Sequence, residues 1–137
     1  CMAPAAAAVI YQNLQDFGIK PSYYDRIITG DLGKVGKKIL EDLLGMNNVD
    51  ISANHMDCGI EIFDNEEQDT HSGGSGCGCS ATVLAGYILK KVSSGEWKRV
   101  LFVPTGALLS TVSYNEGQTI PGIAHAVMIE HHGRKGE

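Results

Sequence analysis

The sequence has little positive charge. Its 11 Lys and Arg residues are outnumbered by 16 Asp and Glu residues, which gives a formal net charge of −5 and a pI of about 5.5. Proteins that bind nucleic acid carry a basic patch because they must neutralise phosphates, so we do not expect a nucleic-acid partner. The 43% of hydrophobic and 20% of charged residues are typical of a folded domain, and 137 residues are enough for one.

Long apolar stretches are also missing. The apolar run at residues 5–10 is far shorter than the roughly 20 residues that span a bilayer. We therefore expect neither a transmembrane segment nor a signal peptide in this chain. Because the chain begins with Cys1 and enters a helical pattern at once, we expect it to be a piece of a longer protein.

Cysteine is too sparse to suggest a disulfide framework. The four residues are Cys1, Cys58, Cys77 and Cys79. Disulfide frameworks belong to small secreted chains that cannot build a sufficient core, whereas a chain of this length can. A reducing compartment is therefore the simpler expectation.

Glycine, in contrast, is abundant. There are 17 glycines where the usual share of about 7% would give roughly ten. The excess is concentrated in one segment, which reads Gly73-Gly74-Ser75-Gly76-Cys77-Gly78-Cys79. We call residues 73–79 the glycine-rich segment. It leads into a predicted helix, so its backbone amides could bind an anion. The alternative is close packing of the helix start against neighbouring backbone.

Hydrophobic periodicity and the positions of glycine and proline predict the remaining elements. The predicted helices cover residues 4–17, 35–45 and 79–93. The predicted strands cover residues 26–29, 49–52, 60–63, 100–103 and 124–129. Residues 64–69 read as an acidic loop and residues 106–122 as a loop-rich stretch. The order αβαβαββ predicts an α/β fold with helices packed on a sheet.

Two kinds of chemistry remain open at the glycine-rich segment. Cys77 or Cys79 could be a nucleophile near a helix start, with His71 or His55 as its base. Alternatively, both cysteines fill tight space as small buried residues. A zinc site made of Cys58, His71, Cys77 and Cys79 would match no usual spacing of ligand pairs, so we expect no metal there.

For His125 and for the acidic loop, a structural role is the simpler interpretation. His125 lies within an apolar predicted strand, so we expect it in the core or at an interface. The acidic loop carries four carboxylates, which could gather a divalent cation but more simply face water. They are Asp64, Glu66, Glu67 and Asp69.

Four motifs follow one another in a recognisable order. They are Ile27-Ile28-Thr29-Gly30-Asp31-Leu32-Gly33, Met56-Asp57-Cys58-Gly59, His71-Ser72-Gly73-Gly74-Ser75-Gly76-Cys77-Gly78-Cys79-Ser80-Ala81 and Val103-Pro104-Thr105-Gly106-Ala107-Leu108. Over nearly the whole chain, this succession resembles the C-terminal half of the stage V sporulation protein AD family, which belongs to the thiolase-like superfamily.

The resemblance implies an α/β thiolase-like fold. Each half of that fold is an αβαβαββ unit, and two halves form a five-layered α-β-α-β-α sandwich. Residues 1–137 would then be the C-terminal thiolase-like domain of a longer two-half protein. The apolar strands at residues 27–28 and 100–103 would pack against the missing half, so this chain alone would aggregate or dimerise.

The resemblance also implies where catalytic groups would lie. Condensing enzymes of this superfamily use a cysteine of the first half together with His and Asn, or two His, of the second. At the first of these second-half positions the chain has Gly30 and Asp31, and at the second it has Ser75 or His71, depending on the register. The usual pair is incomplete, and loss of such a donor slows condensation by orders of magnitude. We therefore expect no catalytic residue in this chain.

The function implied by the resemblance is sporulation. Such a protein would bind dipicolinate (pyridine-2,6-dicarboxylate), a flat dianion, and support its uptake into the developing spore. The expected ligand-binding residues are Gly30, Asp31, His71, Ser75, Cys77 and Ser80. No cofactor and no metal are expected.

The resemblance implies partners and a location as well. The expected partners are dipicolinate, the membrane proteins of the same stage V sporulation A operon, and a second copy of the protein in a thiolase-like dimer. The expected location is the forespore or spore, at the periphery of the inner membrane. Two alternatives stay open: an acyltransferase of the β-ketoacyl synthase or thiolase type, with its nucleophilic cysteine in the missing half and His71 as base, and a scaffold for other sporulation proteins.

Overall fold

A computed structural model describes residues 1–107 and 110–133 of the chain. Its helices are α1 Ala3–Phe17, α2 Gly33–Gly45, α3 Cys58–Glu61, α4 Cys79–Val83, α5 Leu89–Ser93 and α6 Thr111–Asn115, with a 3₁₀ turn at Pro21–Tyr23 and a π-helical turn at Leu84–Ile88. Its strands are β1 Arg26–Thr29, β2 His55–Asp57, β3 Arg99–Val103, β4 Thr105–Gly106, β5 Ile123–Ala124 and β6 Val127–Glu130.

The main sheet has the strand order β2-β1-β3-β6. The central strand β1 runs parallel to both β2 and β3, whereas β6 runs antiparallel to β3. With the short elements set aside, the chain order is αβαβαββ, as predicted from the sequence. The strands β4 and β5 form a separate two-stranded ribbon.

Helices cover both faces of the sheet, so the described residues form two apolar cores. The first lies under α1 and α2 and includes Ile10, Leu14, Ile27, Leu40, Leu44, Leu101 and Val103. The second lies under the helical run of residues 79–93 and includes Ile28, Val83, Ile88, Val92, Trp97, Val100 and Phe102. Each fully buried Ile, Leu or Val contributes about 1.5–3 kcal/mol relative to an exposed one.

This packing corrects the expectation that the apolar strands need another half to cover them. Ile27, Ile28, Val100 and Leu101 are each 0% exposed within this chain. The reason is that β1 and β3 are the inner strands of the sheet, with strands on both sides and helices on both faces. The argument for aggregation of the chain from uncovered strands is therefore wrong.

The first three predicted elements are confirmed. In α1 the buried positions Ala3, Ala6, Ile10 and Leu14 recur every three or four residues, which is the spacing of one helix face. The helix ends at Gly18, whose φ of 60° is left-handed and whose amide donates back to the last turn. The strand at residues 26–29 has the predicted bounds, and α2 begins two residues before the predicted start.

Both strands predicted between residues 49 and 63 are wrong. The segment 49–52 forms no strand, because the carbonyl oxygen of Ile51 accepts amides from Asn54 and His55 in a turn, and the strand β2 follows that turn. The second predicted strand is instead the end of the short helix α3 and the turn after it, and this helix begins where the Asp57 carboxylate accepts the amide of Gly59. Ile51 is nevertheless buried, and its side chain packs in the first core.

The closing strand is also different from its prediction. It is divided into β5 and β6, and His125 lies exposed between them, so its expected place in the core is wrong, whereas its place at an interface stays a prediction. The stretch read as loop-rich contains the helix α6, whose start is capped by the Ser110 hydroxyl. Leu108 and Leu109, which belong to the same predicted loop, lie outside the described residues.

The predicted helix at 79–93 has the predicted bounds, but its middle is a π-helical turn at Leu84–Ile88. Ile88 remains fully buried across this turn, and Val92 follows it into the second core. Such turns insert an extra residue into a helix, which the apolar spacing alone does not reveal.

Candidate functional site

The candidate site lies where the parallel strands β1 and β2 end. Thr29 and Asp57 are paired in the strand register, so the chain leaves both strands at the same edge of the sheet. In α/β sheets this carboxyl edge is the usual position of a ligand crevice. The turn at residues 30–33 follows β1, and the helix α3 follows β2.

The carboxylate of Asp57 joins these two exits. Asp57 is 1% exposed, and its Oδ2 accepts the Thr29 hydroxyl at 2.6 Å and the Leu32 amide at 2.9 Å. Its Oδ1 accepts the amide of Gly33 at 3.0 Å and that of Gly59 at 3.1 Å. A buried carboxylate needs such donors, because it loses its hydration shell on folding. Asp57 therefore fixes the shape of both turns.

The carboxylate of Asp31 attaches the glycine-rich segment to the same edge. Its Oδ2 accepts the Ser75 hydroxyl at 2.7 Å and the Gly76 amide at 3.0 Å. Asp31 lies in the turn after β1, so the contact brings together residues that are 44 positions apart in the sequence. The predicted ligand-binding residues Asp31 and Ser75 are thus in direct contact.

Backbone approaches backbone closely at this edge, and glycine permits it. The Lys34 amide donates to the Ser72 carbonyl oxygen at 2.6 Å, and a Cβ on Gly33 would lie 2.6 Å from that same oxygen. The Gly74 amide donates to the Gly59 carbonyl oxygen at 2.6 Å. These contacts support the close-packing interpretation of the glycines.

The remaining predicted ligand-binding residues are spread around this edge. Gly30 is buried against Thr105, and a Cβ there would lie 2.9 Å from the Thr105 amide nitrogen. Ser80 is half-buried in the first turn of α4, and Cys77 is exposed just before that turn. His71 is not brought in: its side chain is 86% exposed, and its Nδ1 lies 3.3 Å from an Asp69 carboxylate oxygen.

The structure adds three side chains that the ligand-binding prediction did not include, namely Thr29, His55 and Asp57. His55 is buried, with Nε2 3.1 Å from the Thr29 hydroxyl oxygen and Nδ1 3.0 Å from a Glu41 carboxylate oxygen. Burial lowers the pKa of the His55 ring, and the hydrogen bond to Glu41 acts in the opposite direction. The signal for Asp57 was its place directly before Cys58 and Gly59, a pattern typical of a helix start.

The cysteines divide into buried and exposed. Cys58 is 0% exposed and Cys79 is 7% exposed, so the interpretation as small buried fillers is confirmed for Cys79. It is wrong for Cys77, which is exposed. Burial raises the pKa of the Cys58 thiol to about 12. Burial also raises the pKa of Cys79, and the Asp31 and Asp57 carboxylates add to this.

These differences predict selective thiol labelling of the intact native protein. Iodoacetamide at pH 8 should modify Cys77 and leave Cys58 and Cys79 unmodified, as read by peptide mass mapping. With a pKa of about 12, Cys58 is a thiolate in only about one molecule in ten thousand at that pH. Denaturation in urea before labelling is the control, and it should make all three reactive. Native labelling of Cys79 as fast as Cys77 would contradict the arrangement.

Two kinds of feature, a metal-ligand cluster and a membrane-spanning helix, are absent from the described part of the chain. Within residues 1–107 and 110–133, no three His, Cys, Asp or Glu side chains come together in a geometry that could hold a metal ion. None of the helices in these ranges is both long and apolar enough to cross a lipid bilayer.

Comparison with known proteins identifies the family. The family model described as stage V sporulation protein AD matches residues 1–130. The stage V sporulation protein AD of Bacillus subtilis (strain 168) is 43% identical to this chain over 132 residues, which cover 96% of this chain. The chain spans 39% of the length of that relative. With a family match over nearly its whole length and this degree of identity, the chain belongs to the stage V sporulation protein AD family.

Proposed function

We propose that the intact protein is a non-catalytic, thiolase-like sporulation protein that binds dipicolinate and supports its uptake into the developing spore. The observation that carries this proposal is the contact between Asp31 and the glycine-rich segment. At the positions where condensing enzymes keep a base and an oxyanion donor, the Ser75 hydroxyl and the Gly76 amide both donate to Asp31. Because the Ser75 hydroxyl proton and the Gly76 amide are used by Asp31, neither is available to stabilise an enolate.

The thiolase-like fold is part of the same proposal. It is supported by the order αβαβαββ, by the three parallel strands β2, β1 and β3, and by the antiparallel last strand β6. The membership in the sporulation family supports the biological setting. We place the protein in the forespore, at the periphery of the inner membrane, with membrane proteins of the same operon and a second copy as partners.

The geometry assigns different tasks to the residues at the site. Dipicolinate at neutral pH presents two carboxylates and a ring nitrogen, so it needs hydrogen-bond donors. Asp31 accepts hydrogen bonds, and the Ser75 hydroxyl proton is used within the protein, so these two residues shape the site. The ligand's donors would be the Ser80 hydroxyl and the amides at the start of the helical run of residues 79–93, where the helix dipole favours an anion.

Isothermal titration calorimetry on the intact protein tests this proposal. The wild type should bind dipicolinate, and Ser80→Ala should weaken binding about ten- to a hundredfold, because a hydrogen bond to a charged group contributes about 1.5–3 kcal/mol. Ser93→Ala is the matched control, since its hydroxyl bonds to the Leu89 carbonyl oxygen at the far end of the same helical run. That variant should bind like the wild type.

Two outcomes would contradict the proposal. The first is no binding heat for the wild type at millimolar dipicolinate. The second is turnover of acyl-CoA or acyl-carrier substrates that is lost in His71→Ala, because this would favour the acyltransferase.

Isophthalate, which has the same carboxylates without the ring nitrogen, is the ligand control and should bind more weakly.

A further inference from the structure

A series of polar side chains, buried except for Glu41 at its end, runs behind the candidate site from α2 through β2 and β1. It consists of Glu41, His55, Thr29 and Asp57. The contacts are 3.0 Å from Glu41 Oε1 to His55 Nδ1, 3.1 Å from His55 Nε2 to Thr29 Oγ1 and 2.6 Å from Thr29 Oγ1 to Asp57 Oδ2. The side chain of His55 is 0% exposed, and Thr29 and Asp57 are 0% and 1% exposed.

The direction of these hydrogen bonds follows from counting protons. Thr29 has one hydroxyl proton, and its shortest contact, to the Asp57 carboxylate, requires it, since an ionised carboxylate can only accept. The alternative acceptor, the Met56 carbonyl oxygen, is farther away at 3.4 Å. The Thr29 oxygen is then an acceptor toward His55, so Nε2 of the ring must carry a proton and donate it.

The ring is held on its other side by α2. With Nε2 protonated, the 3.0 Å hydrogen bond between Nδ1 and Glu41 Oε1 uses a second proton, which lies on Nδ1 or on the Glu41 carboxyl. The Lys37 ammonium donates to the His55 carbonyl oxygen at 2.8 Å. Side chain and backbone of His55 are thus both attached to the same helix. This leaves the ring little freedom to turn away from Thr29.

At its Asp57 end, this series of polar side chains contacts the turn at residues 30–33. The Asp57 oxygen that accepts the Thr29 hydroxyl also accepts the Leu32 amide, and its other oxygen accepts the Gly33 amide. A carboxylate that is held in one orientation by the hydroxyl presents both oxygens to these amides at once. Asp31, which attaches the glycine-rich segment, lies directly before Leu32.

We propose that His55 is a positioning residue of the candidate site. Its Nε2 proton commits the Thr29 hydroxyl to Asp57, and the oriented carboxylate of Asp57 holds the turn at residues 30–33 that carries Asp31. His55 acts through Thr29 and touches no ligand. The assignment rests on the proposed function only in its last step, in which this turn shapes the dipicolinate site.

Amide exchange distinguishes this role from simple packing. In hydrogen–deuterium exchange of the intact protein, Thr29→Val should speed exchange at Leu32 and Gly33 about tenfold, whereas Thr29→Ser should change it less than threefold. Packing alone predicts the reverse order, because Val keeps the shape and β-branching of Thr and Ser does not. Thr105→Val is the matched control, because that buried hydroxyl has no hydrogen-bond partner among the described residues. It should leave these amides unchanged.

A second measurement observes the His55 ring directly in the wild-type sequence. In ¹⁵N-histidine-labelled intact protein, with the signal identified by its loss in His55→Gln, Nε2 of His55 should be protonated at pH 7. A bare Nε2, or equal exchange in Thr29→Val and wild type, would overturn the assignment. The dipicolinate titration is read separately: absence of binding with these exchange and tautomer results would count against the proposed function and leave the positioning role standing.

Discussion

Replacing Asp57 with asparagine is expected to lower the free energy of unfolding by about 3–5 kcal/mol, because hydrogen bonds to a buried charged group contribute about 1.5–3 kcal/mol each and an unsatisfied buried donor costs about 1–3 kcal/mol. Asparagine has the same shape but keeps one acceptor oxygen. Its amide group must then face either the Leu32 amide or the Gly33 amide, which is donor against donor. Urea denaturation of the intact protein measures the effect.

Asp64→Asn is the matched control for this substitution. The Asp64 carboxylate also accepts two backbone amides, from Glu66 and Glu67, and these hydrogen bonds lower its pKa. Because Asp64 is exposed, water replaces any hydrogen bond that asparagine fails to make, and the urea midpoint should hardly move. Equal shifts for the two variants would show that the burial of Asp57 has no special importance.

The elements that periodicity predicted well are those with a continuous apolar face. The strand β1 has two fully buried isoleucines in succession, and α1 repeats its buried positions in helical steps. In residues 49–63 the apolar side chains lie mostly in a turn and in a one-turn helix. Apolar and polar residues therefore do not alternate there with a fixed period. Asp57 lies between the two predicted strands, in a segment without an apolar pattern. The sequence therefore did not predict that its carboxylate is buried.

The site was only partly predictable for a different reason. Its turns could be recognised separately, but the hydrogen bond from Ser75 to Asp31 spans 44 positions, and the amide of Leu32 reaches Asp57 across 25. Such contacts depend on which strands are neighbours, and local patterns do not encode this. The Ser75 hydroxyl, which was predicted to bind ligand, donates a hydrogen bond to Asp31 within the protein, and its contact with a ligand stays a prediction.

The glycine excess shows the same limit. Most of the excess lies in the glycine-rich segment, yet Gly76 has no atom within 4 Å of an added Cβ, and Gly78 has only a side-chain oxygen at 4.0 Å. The tightest approaches also involve the isolated Gly33 and Gly59, which lie outside that segment. The excess of glycine therefore indicated the right region of the chain. Whether a given position requires glycine depends on which backbone atoms pack against it.

Gly33→Ala is accordingly expected to lower the free energy of unfolding by about 2–4 kcal/mol. Gly33 has a φ of 68°, a left-handed conformation that costs an L-residue about 1–2 kcal/mol. An added Cβ would also lie 2.6 Å from the Ser72 carbonyl oxygen, which is backbone and cannot rotate away. The turn must shift, and this would pull the Gly33 amide from Asp57 and loosen the attachment at Asp31.

Gly45→Ala at the other end of α2 isolates this effect. Gly45 is helical, and an added Cβ there meets no atom within 4 Å, so alanine should raise the free energy of unfolding by up to about 1 kcal/mol. Urea midpoints of the two variants should therefore move in opposite directions, and dipicolinate affinity should fall only in Gly33→Ala. If both variants unfold at the wild-type midpoint, the turn after β1 tolerates a side chain, and the close backbone packing does not define the site.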